Sequence, residues 1–329
     1  MDTTSSPTAS RRDFLAASAA LLAAGPLAGK AAANPPTAPA ADGSLVIAHL
    51  TDVHVQPELR AQEGLAACLE HVHSLKRRPD LILGGGDMVM DVFATDRSRA
   101  DLLRKCLADG FKGCTIPVRH CVGNHDIYGW NRERSKTTGD EADWGKKWAL
   151  ETFGLETAAY SFDHGAWHFI ALDGVQTDGG KGYLARIDDA QLEWLKADLA
   201  AVPAGRPVLV WSHIPVLTAT VITGDAGSEK DGKLAISNAE MHADAARIHR
   251  TLAGSGKVKL CLSGHIHLVD RIDVDGMSYV CDGAVSGAWW KGPHVPKETP
   301  SRCVEGYGTV ELRPDGSFTH EYRDYGWKA

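Results

Sequence analysis

The chain is 329 residues long, 43% hydrophobic and 23% charged, with a net charge of -7 and a pI near 6.1. That balance excludes a mainly disordered, collagen-like or disulfide-scaffold protein. The acidic surplus argues against a surface that coats nucleic acid or holds a polybasic contact with a membrane.

The chain opens on an address. Ser10-Arg11-Arg12-Asp13-Phe14-Leu15 is a twin-arginine stretch, and an Ala- and Leu-rich run follows from Leu15 to Ala28. Ala31-Ala32-Ala33 then supplies the small residues of a signal-peptidase site. The apolar run, about 14 residues and broken by Gly25-Pro26, is too short to span a bilayer. Residues 1–33 are therefore predicted to be a twin-arginine (Tat) signal peptide. The Tat translocase is the expected export partner. The mature protein is expected in the periplasm or secreted, with no stable membrane span. Residues 34–44 begin NPPTAPAADG and read as an exposed linker, which leaves 45–329 as the main domain.

Beyond the linker, strand-length apolar runs alternate with helical patterns. The runs are Leu45–Leu50, Asp80–Leu83, Val118–Val122, Val208–Trp211 and Val258–Leu262. Helical spacing of apolar residues predicts helices over 58–77, 98–108, 189–200 and 239–253. His164-Gly165, Asp275-Gly276 and Pro314-Asp315-Gly316 each separate two short runs and predict three hairpins. The alternation argues an α/β fold, and the hairpins make its sheets mixed. Seven cysteines occur without a C-x-x-C, and Cys261 and Cys281 fall on neighbouring predicted strands. Buried small hydrophobes are the competing reading for most of them, and none is expected to be catalytic.

Chemistry-bearing residues follow each of the five runs. They are Asp52-Val53-His54, Gly86-Asp87, Gly123-Asn124-His125-Asp126, Ser212-His213 and Gly264-His265-Ile266-His267. Ligands of open α/β sheets bind beyond the carboxyl ends of strands, so the five clusters are expected to converge. Carboxylate, amide oxygen and imidazole without thiolate suit Mn, Fe, Zn or similar divalent ions, and the number of candidate ligands points to two of them. Gly86, Gly123 and Gly264 are expected to let the chain turn sharply before each ligand.

The ordered set D-x-H, G-D, G-N-H-D, a lone His after a strand, and G-H-x-H resembles the calcineurin-like metallophosphoesterases, from Leu45 to His267 at least. The resemblance implies a sandwich of two mixed β-sheets flanked by helices. It implies that Asp52, His54 and His267 hold one metal, that Asn124, His213 and His265 hold the other, and that Asp87 bridges them. His125 would contact the phosphate and protonate the leaving oxygen. A metal-ligating tyrosine, as in purple acid phosphatases, would fall at Met90, so the resemblance does not support a Tyr–Fe(III) charge-transfer site. The implied activity is hydrolysis of a small-molecule phosphoester by metal-bound hydroxide. Cyclic-nucleotide or glycerophosphodiester-like diesters are favoured over phosphomonoesters. A non-catalytic binding protein of the same fold is a further alternative, and no nucleic-acid partner is expected.

Other features have plainer readings. His49, His71, His73, His120, His164, His168, His242 and His249 are expected to be structural or surface residues. Asp126 is a candidate to orient His125 or a ligand, and Asp173 either touches the site or caps a turn. Trp289-Trp290 is either an aromatic wall for a substrate base or sugar, or an interface or core pair. Residues 129–148 and 216–238 are insertions after metal-site motifs, either surface loops or lids that select substrate.

Overall fold

The structure, a computed structural model, describes residues 41–223, 227–230, 232–291 and 304–328. The predicted signal peptide, residues 34–40 of the predicted linker, and Cys303 lie outside the described residues.

Five strands form the first sheet, in the spatial order Phe318–Asp324, Gly306–Leu312, Leu45–Leu50, Leu81–Gly84 and Val118–His120. Six form the second, in the order Asp270–Val274, Met277–Cys281, Val258–Ser263, Val208–Trp211, Trp167–Ala171 and Tyr160–His164. In the second sheet the inner pairings are parallel and hairpins make both edges antiparallel. In the first, Leu45–Leu50, Leu81–Gly84 and Val118–His120 run parallel, and the C-terminal hairpin adds antiparallel pairings on the other side. All three predicted hairpins are present, and Asp275 and Gly276 both take positive φ, the two-residue turn that Asp-Gly favours. Leu45 pairs with Leu312, so the beginning and end of the described domain share one sheet.

Side-chain alternation along the strands explains the layering. Leu45, Ile47, Leu81 and Leu83 of the first sheet meet Phe169, Leu209, Trp211 and Leu260 of the second in one buried cluster. The intervening residues face outward. Ala48, Leu50 and Ile82 pack with Leu65, Val72 and Leu103 from the helices Ala61–Ser74 and Arg97–Phe111. Ile170, Val208 and Val210 pack with Leu195, Leu199 and Leu252 from Asp189–Ala201 and Ala245–Ser255. Among the described residues, no helix is long and apolar enough to cross a membrane.

Several expectations need correction. The fourth helix begins at Ala245 rather than 239, because His242 N donates to Pro215 O and holds the preceding residues in turns. The helix Lys146–Phe153 starts inside the insertion 129–148, which also contains the helical turn Arg132–Ser135. The described part of 216–238 contains the turn Thr220–Thr223 and a hairpin of Gly227–Lys230 with Lys233–Ile236. Cys261 pairs with Tyr279 and Cys281 with Ser263, so the two cysteines are out of register, and both are free thiols.

A buried ionic triad joins the two sheets. Asp282, just after the strand Met277–Cys281, accepts from His49 Nδ1 at 2.7 Å and from His320 Nε2 at 2.8 Å. Burial pushes the Asp282 carboxyl up, but His320 and His49 outweigh it and hold it at about 2. Burial pushes the His320 imidazole down, yet Asp282 raises it above its ordinary value. The Asp282 contribution to stability is therefore present above pH 4 and lost as pH falls towards 2. The His320 contribution is present below pH 6.5 and lost as pH rises through its raised pKa. Asp282→Asn is expected to destabilise the fold by about 3 kcal/mol near neutral pH, since it breaks a buried pair and leaves one of the two imidazole donors without its acceptor. It is also expected to flatten the pH dependence in both windows, as read by denaturant titration across pH 3 to 9.

Candidate metal centre

The five motif loops meet at one end of the sandwich. Thr51–His54, Gly85–Asp87 and Gly123–Asn124 continue strands of the first sheet. Ser212-His213 and Gly264–His267 continue strands of the second. They are sewn together by main-chain bonds, among them Asp52 N to Gly86 O, His54 N to Asp87 O, and Gly264 N to His213 O, all 2.9–3.0 Å.

The loops turn sharply enough to aim side chains inward, but the turning residues are mostly the ligands themselves. Asp52, His54, Asp87, His265 and His267 all have φ between 44° and 70°, a left-handed backbone that costs L-residues free energy and persists only where surroundings enforce it. Gly86 shares this conformation at φ 87°. Gly123 does not, with φ at -93°, and Gly264 is not among the positive-φ residues. These two positions instead lack room for a side chain: a Cβ on Gly123 would strike Asp87, and one on Gly264 would strike Thr51 and Asp52.

Two clusters of candidate ligand atoms result, Asp52 with His54 and His267, and Asp87 with His213 and His265. Each takes residues from both sheets. In the first, His267 Nε2 lies 3.0 Å from Asp52 Oδ1 and 3.2 Å from His54 Nε2. In the second, His213 Nε2 lies 3.1 Å from Asp87 Oδ2, from Asn124 Oδ1 and from His265 Nδ1. Asp87 Oδ2 also stands 3.8 Å from His54 Nε2, which places this carboxylate between the clusters.

The far side of each ring fixes which nitrogen faces inward. His213 Nδ1 faces Gly85 O at 2.9 Å, His265 Nε2 faces Ala239 O at 3.1 Å, His267 Nδ1 faces Gly287 O at 3.2 Å, and His54 Nδ1 faces Met90 O at 3.4 Å. A carbonyl only accepts, so the proton belongs on that outer nitrogen. In the neutral ring the inner nitrogen then presents a lone pair, the tautomer that a metal ion requires. Lone pairs converging at hydrogen-bond distance on buried carboxylates fit two divalent cations.

The charges agree. Burial raises the carboxyls of Asp52 and Asp87, but neighbouring imidazoles, His267 and His213 respectively foremost, hold both well below the usual carboxylate range. Burial lowers His54 to about 4 and His265 to about 3, where neutral imidazole prevails. His213, although buried, is drawn up to about 9 by Asp87 and Asp52. The two carboxylates thus create a demand for positive charge that divalent cations would meet.

His125 borders the clusters without joining either. Its N–H donates to Asp87 Oδ1 at 2.8 Å, its Nε2 lies 4.0 Å from Asp87 Oδ2, and its Nδ1 lies 3.7 Å from Asp91 Oδ1. Asp126 orients the Asp87 loop rather than the His125 ring. It accepts from Asp87 N, Met88 N and Gly123 N at 2.8–3.0 Å, and from Val89 N at 3.4 Å. Burial and the Asp87 charge push its carboxyl up to about 7, against these donors.

Some neighbours of the site carried no signal in the sequence. Thr51 Oγ1 donates to Asp52 Oδ2 at 2.6 Å, and Ser286 Oγ donates to Asp52 O at 2.8 Å. Glu240 Oε2 stands 3.5 Å from His265 Nε2. These are ordinary polar residues in turns, brought to the site only by tertiary folding. Asp173 grips Lys146 Nζ through both oxygens, outside the clusters. The two tryptophans separate: Trp290 is buried in the core, while the Trp289 indole stacks on His54. The eight histidines read as structural lie outside both clusters, with partners such as Tyr307 for His71 and Asp198 for His168.

A sandwich of two mixed sheets that presents paired histidine–carboxylate clusters at its strand ends defines a dimetal-type hydrolase. Residues 45–269 match the sequence model of the calcineurin-like phosphoesterases, and the chain belongs to that family as a phosphoric ester hydrolase. A 3′,5′-cyclic adenosine monophosphate phosphodiesterase of Escherichia coli is 24% identical over 289 residues, 86% of this chain and 90% of that one. A probable glycerophosphodiester phosphodiesterase of Arcobacter nitrofigilis is 25% identical over 179 residues, 52% of this chain and 58% of that one. A dimetal phosphatase from Danio rerio superposes with a TM-score of 0.53 at 15% identity, covering 84% of this chain and 98% of that chain, and so shares the fold.

Asp126→Asn replaces one acceptor oxygen with an amide that cannot accept from the Asp87 loop. It is expected to weaken Mn binding about 10- to 100-fold while the folded far-UV spectrum is kept. Calorimetric titration of metal-stripped protein checks this.

Proposed function

We propose that the chain is an exported phosphodiesterase acting on small-molecule diesters of the cyclic-nucleotide or glycerophosphodiester kind. Alignment with the Escherichia coli cyclic-nucleotide enzyme over 90% of its length carries the diester reading. The two clusters are the proposed seats of a pair of Mn, Fe or Zn ions. Asp52, His54 and His267 hold one, Asn124, His213 and His265 hold the other, and Asp87 is shared. Bound there, divalent ions would neutralise phosphoryl oxygens and supply hydroxide near neutral pH.

The chain's own residues supply the rest. His125, partly exposed beside Asp87, is the proposed proton donor to the leaving oxygen, with Asp91 facing its other nitrogen. The main-chain bond from His125 N to Asp87 fixes the ring's origin relative to the shared carboxylate. The strained ligand loops are held before substrate arrives, so little reorganisation accompanies the reaction.

Mature protein loaded with Mn is expected to hydrolyse bis(p-nitrophenyl) phosphate faster than p-nitrophenyl phosphate. Asp87→Asn is expected to lower kcat at least about 100-fold. A faster monoester would move the reading to a phosphomonoesterase. No turnover of either substrate, with two Mn per chain retained, would favour a binding protein of the same fold.

Export rests on Ser10–Leu15, the following apolar run and Ala31–Ala33. Replacing Arg11 and Arg12 together with Lys is expected to keep the protein in the cytosol at its full, uncleaved mass. Fractionation followed by intact-mass measurement reads the result.

A further inference from the structure

Trp289 and Trp290 adjoin in sequence and do different work. Trp290 is a fastener. Its Nε1–H donates to Val53 O and His54 O, each at 3.1 Å, and its ring fills the space over Gly64, where a Cβ would strike it. The preceding residues are stapled to the same ligand loop: Val285 N donates to Thr51 O, Ser286 N to Asp52 O, and Trp290 N back to Ser286 O.

Trp289 is carried by that fastening to the rim of the metal site. Its indole stacks on His54 with ring centroids 4.1 Å apart and planes inclined by 17°. It stacks on His267 at 5.1 Å and meets the His125 ring at 5.2 Å, nearly perpendicular. It is only partly buried. Both tryptophans take positive φ, 52° and 57°, a backbone that bulky residues adopt only under enforcement. Trp290 alone seals the core, and a leucine at 289, on the same left-handed backbone, would cover the imidazoles as an apolar lid. What an indole adds is a broad flat face, held rigid beside the ring proposed to protonate the leaving oxygen.

We propose that Trp289 is a specificity-determining residue that stacks a planar group, a nucleobase or aryl ring, carried by the alcohol leaving the phosphorus. The proposal rests on the phosphodiesterase reading above and narrows it to diesters that bear an aromatic alcohol or nucleoside.

The test compares wild type with W289L, which keeps an apolar cover but offers no ring, and W289F, which keeps a ring. Each is loaded with Mn and its metal content is measured. For 3′,5′-cyclic AMP and bis(p-nitrophenyl) phosphate, W289L is expected to lower kcat/KM about tenfold more than it does for glycerophosphoethanolamine, mainly through KM. W289F should restore most of the difference. Calorimetric binding of AMP against ribose 5-phosphate reads the same stacking without turnover. W289L should weaken AMP about tenfold relative to ribose 5-phosphate. An equal loss on aromatic and aliphatic ligands overturns the proposal, as does an unchanged AMP to ribose 5-phosphate ratio. Absence of diester turnover in wild type overturns the diesterase reading instead, and the binding ratio still decides Trp289.

Discussion

Four carbonyl oxygens govern this site. Gly85 O, Met90 O, Ala239 O and Gly287 O each face the outer nitrogen of one histidine and so keep the proton there. An imidazole free to choose its tautomer would also turn a proton inward and repel a cation. With the outer nitrogen committed, the inner nitrogen of each neutral ring is a lone pair, and His213, held charged by Asp87 and Asp52, would give up its inner proton to an arriving cation. The same carbonyls fix ring orientation, so the spacing of the clusters follows from main-chain positions rather than from rotamer choice.

Main-chain positions that hold such carbonyls in place have a cost, visible as left-handed backbone at Asp52, His54, Asp87, His265 and His267. Strain of this sort would relax if the loops were independent. They are cross-bonded instead, Asp52 to Gly86, His54 to Asp87 and Gly264 to His213, with Asp126 gathering the N–H groups of the Asp87 loop around one carboxylate. Beneath them the interleaved cores leave each sheet nowhere to shift. The Asp282 triad adds a polar tie between the sheets.

Much of this was legible in the sequence. The strand runs were short, apolar and closed by Asp, Asn or His, and the hairpins carried Gly at their turns, so architecture and motif positions followed from local pattern. What was not legible depended on packing. Nothing local separates Trp289 from Trp290, yet one fills the core and the other stands on His54. Gly123 and Gly264 resemble turn glycines, but their bareness answers to Asp87 and Thr51, residues distant in the chain. Asp126, next to His125, suggested a partner for that ring, whereas its oxygens serve the backbone of a loop 39 residues earlier. The helix at Lys146 was hidden in a polar stretch where tertiary burial of Trp148 and Ala149, rather than a long amphipathic run, gives it a place to dock.

Each cluster draws on both sheets, and some of its contacts join residues 213 positions apart, as between His54 and His267. No short fragment of the chain can assemble either one. Neither cluster is complete until the two sheets have met, so an ion that uses the full ligand set would bind an assembled sandwich rather than nucleate it. If the protein leaves the cytosol already folded, the metal it carries is chosen by what that compartment offers, not by what awaits outside.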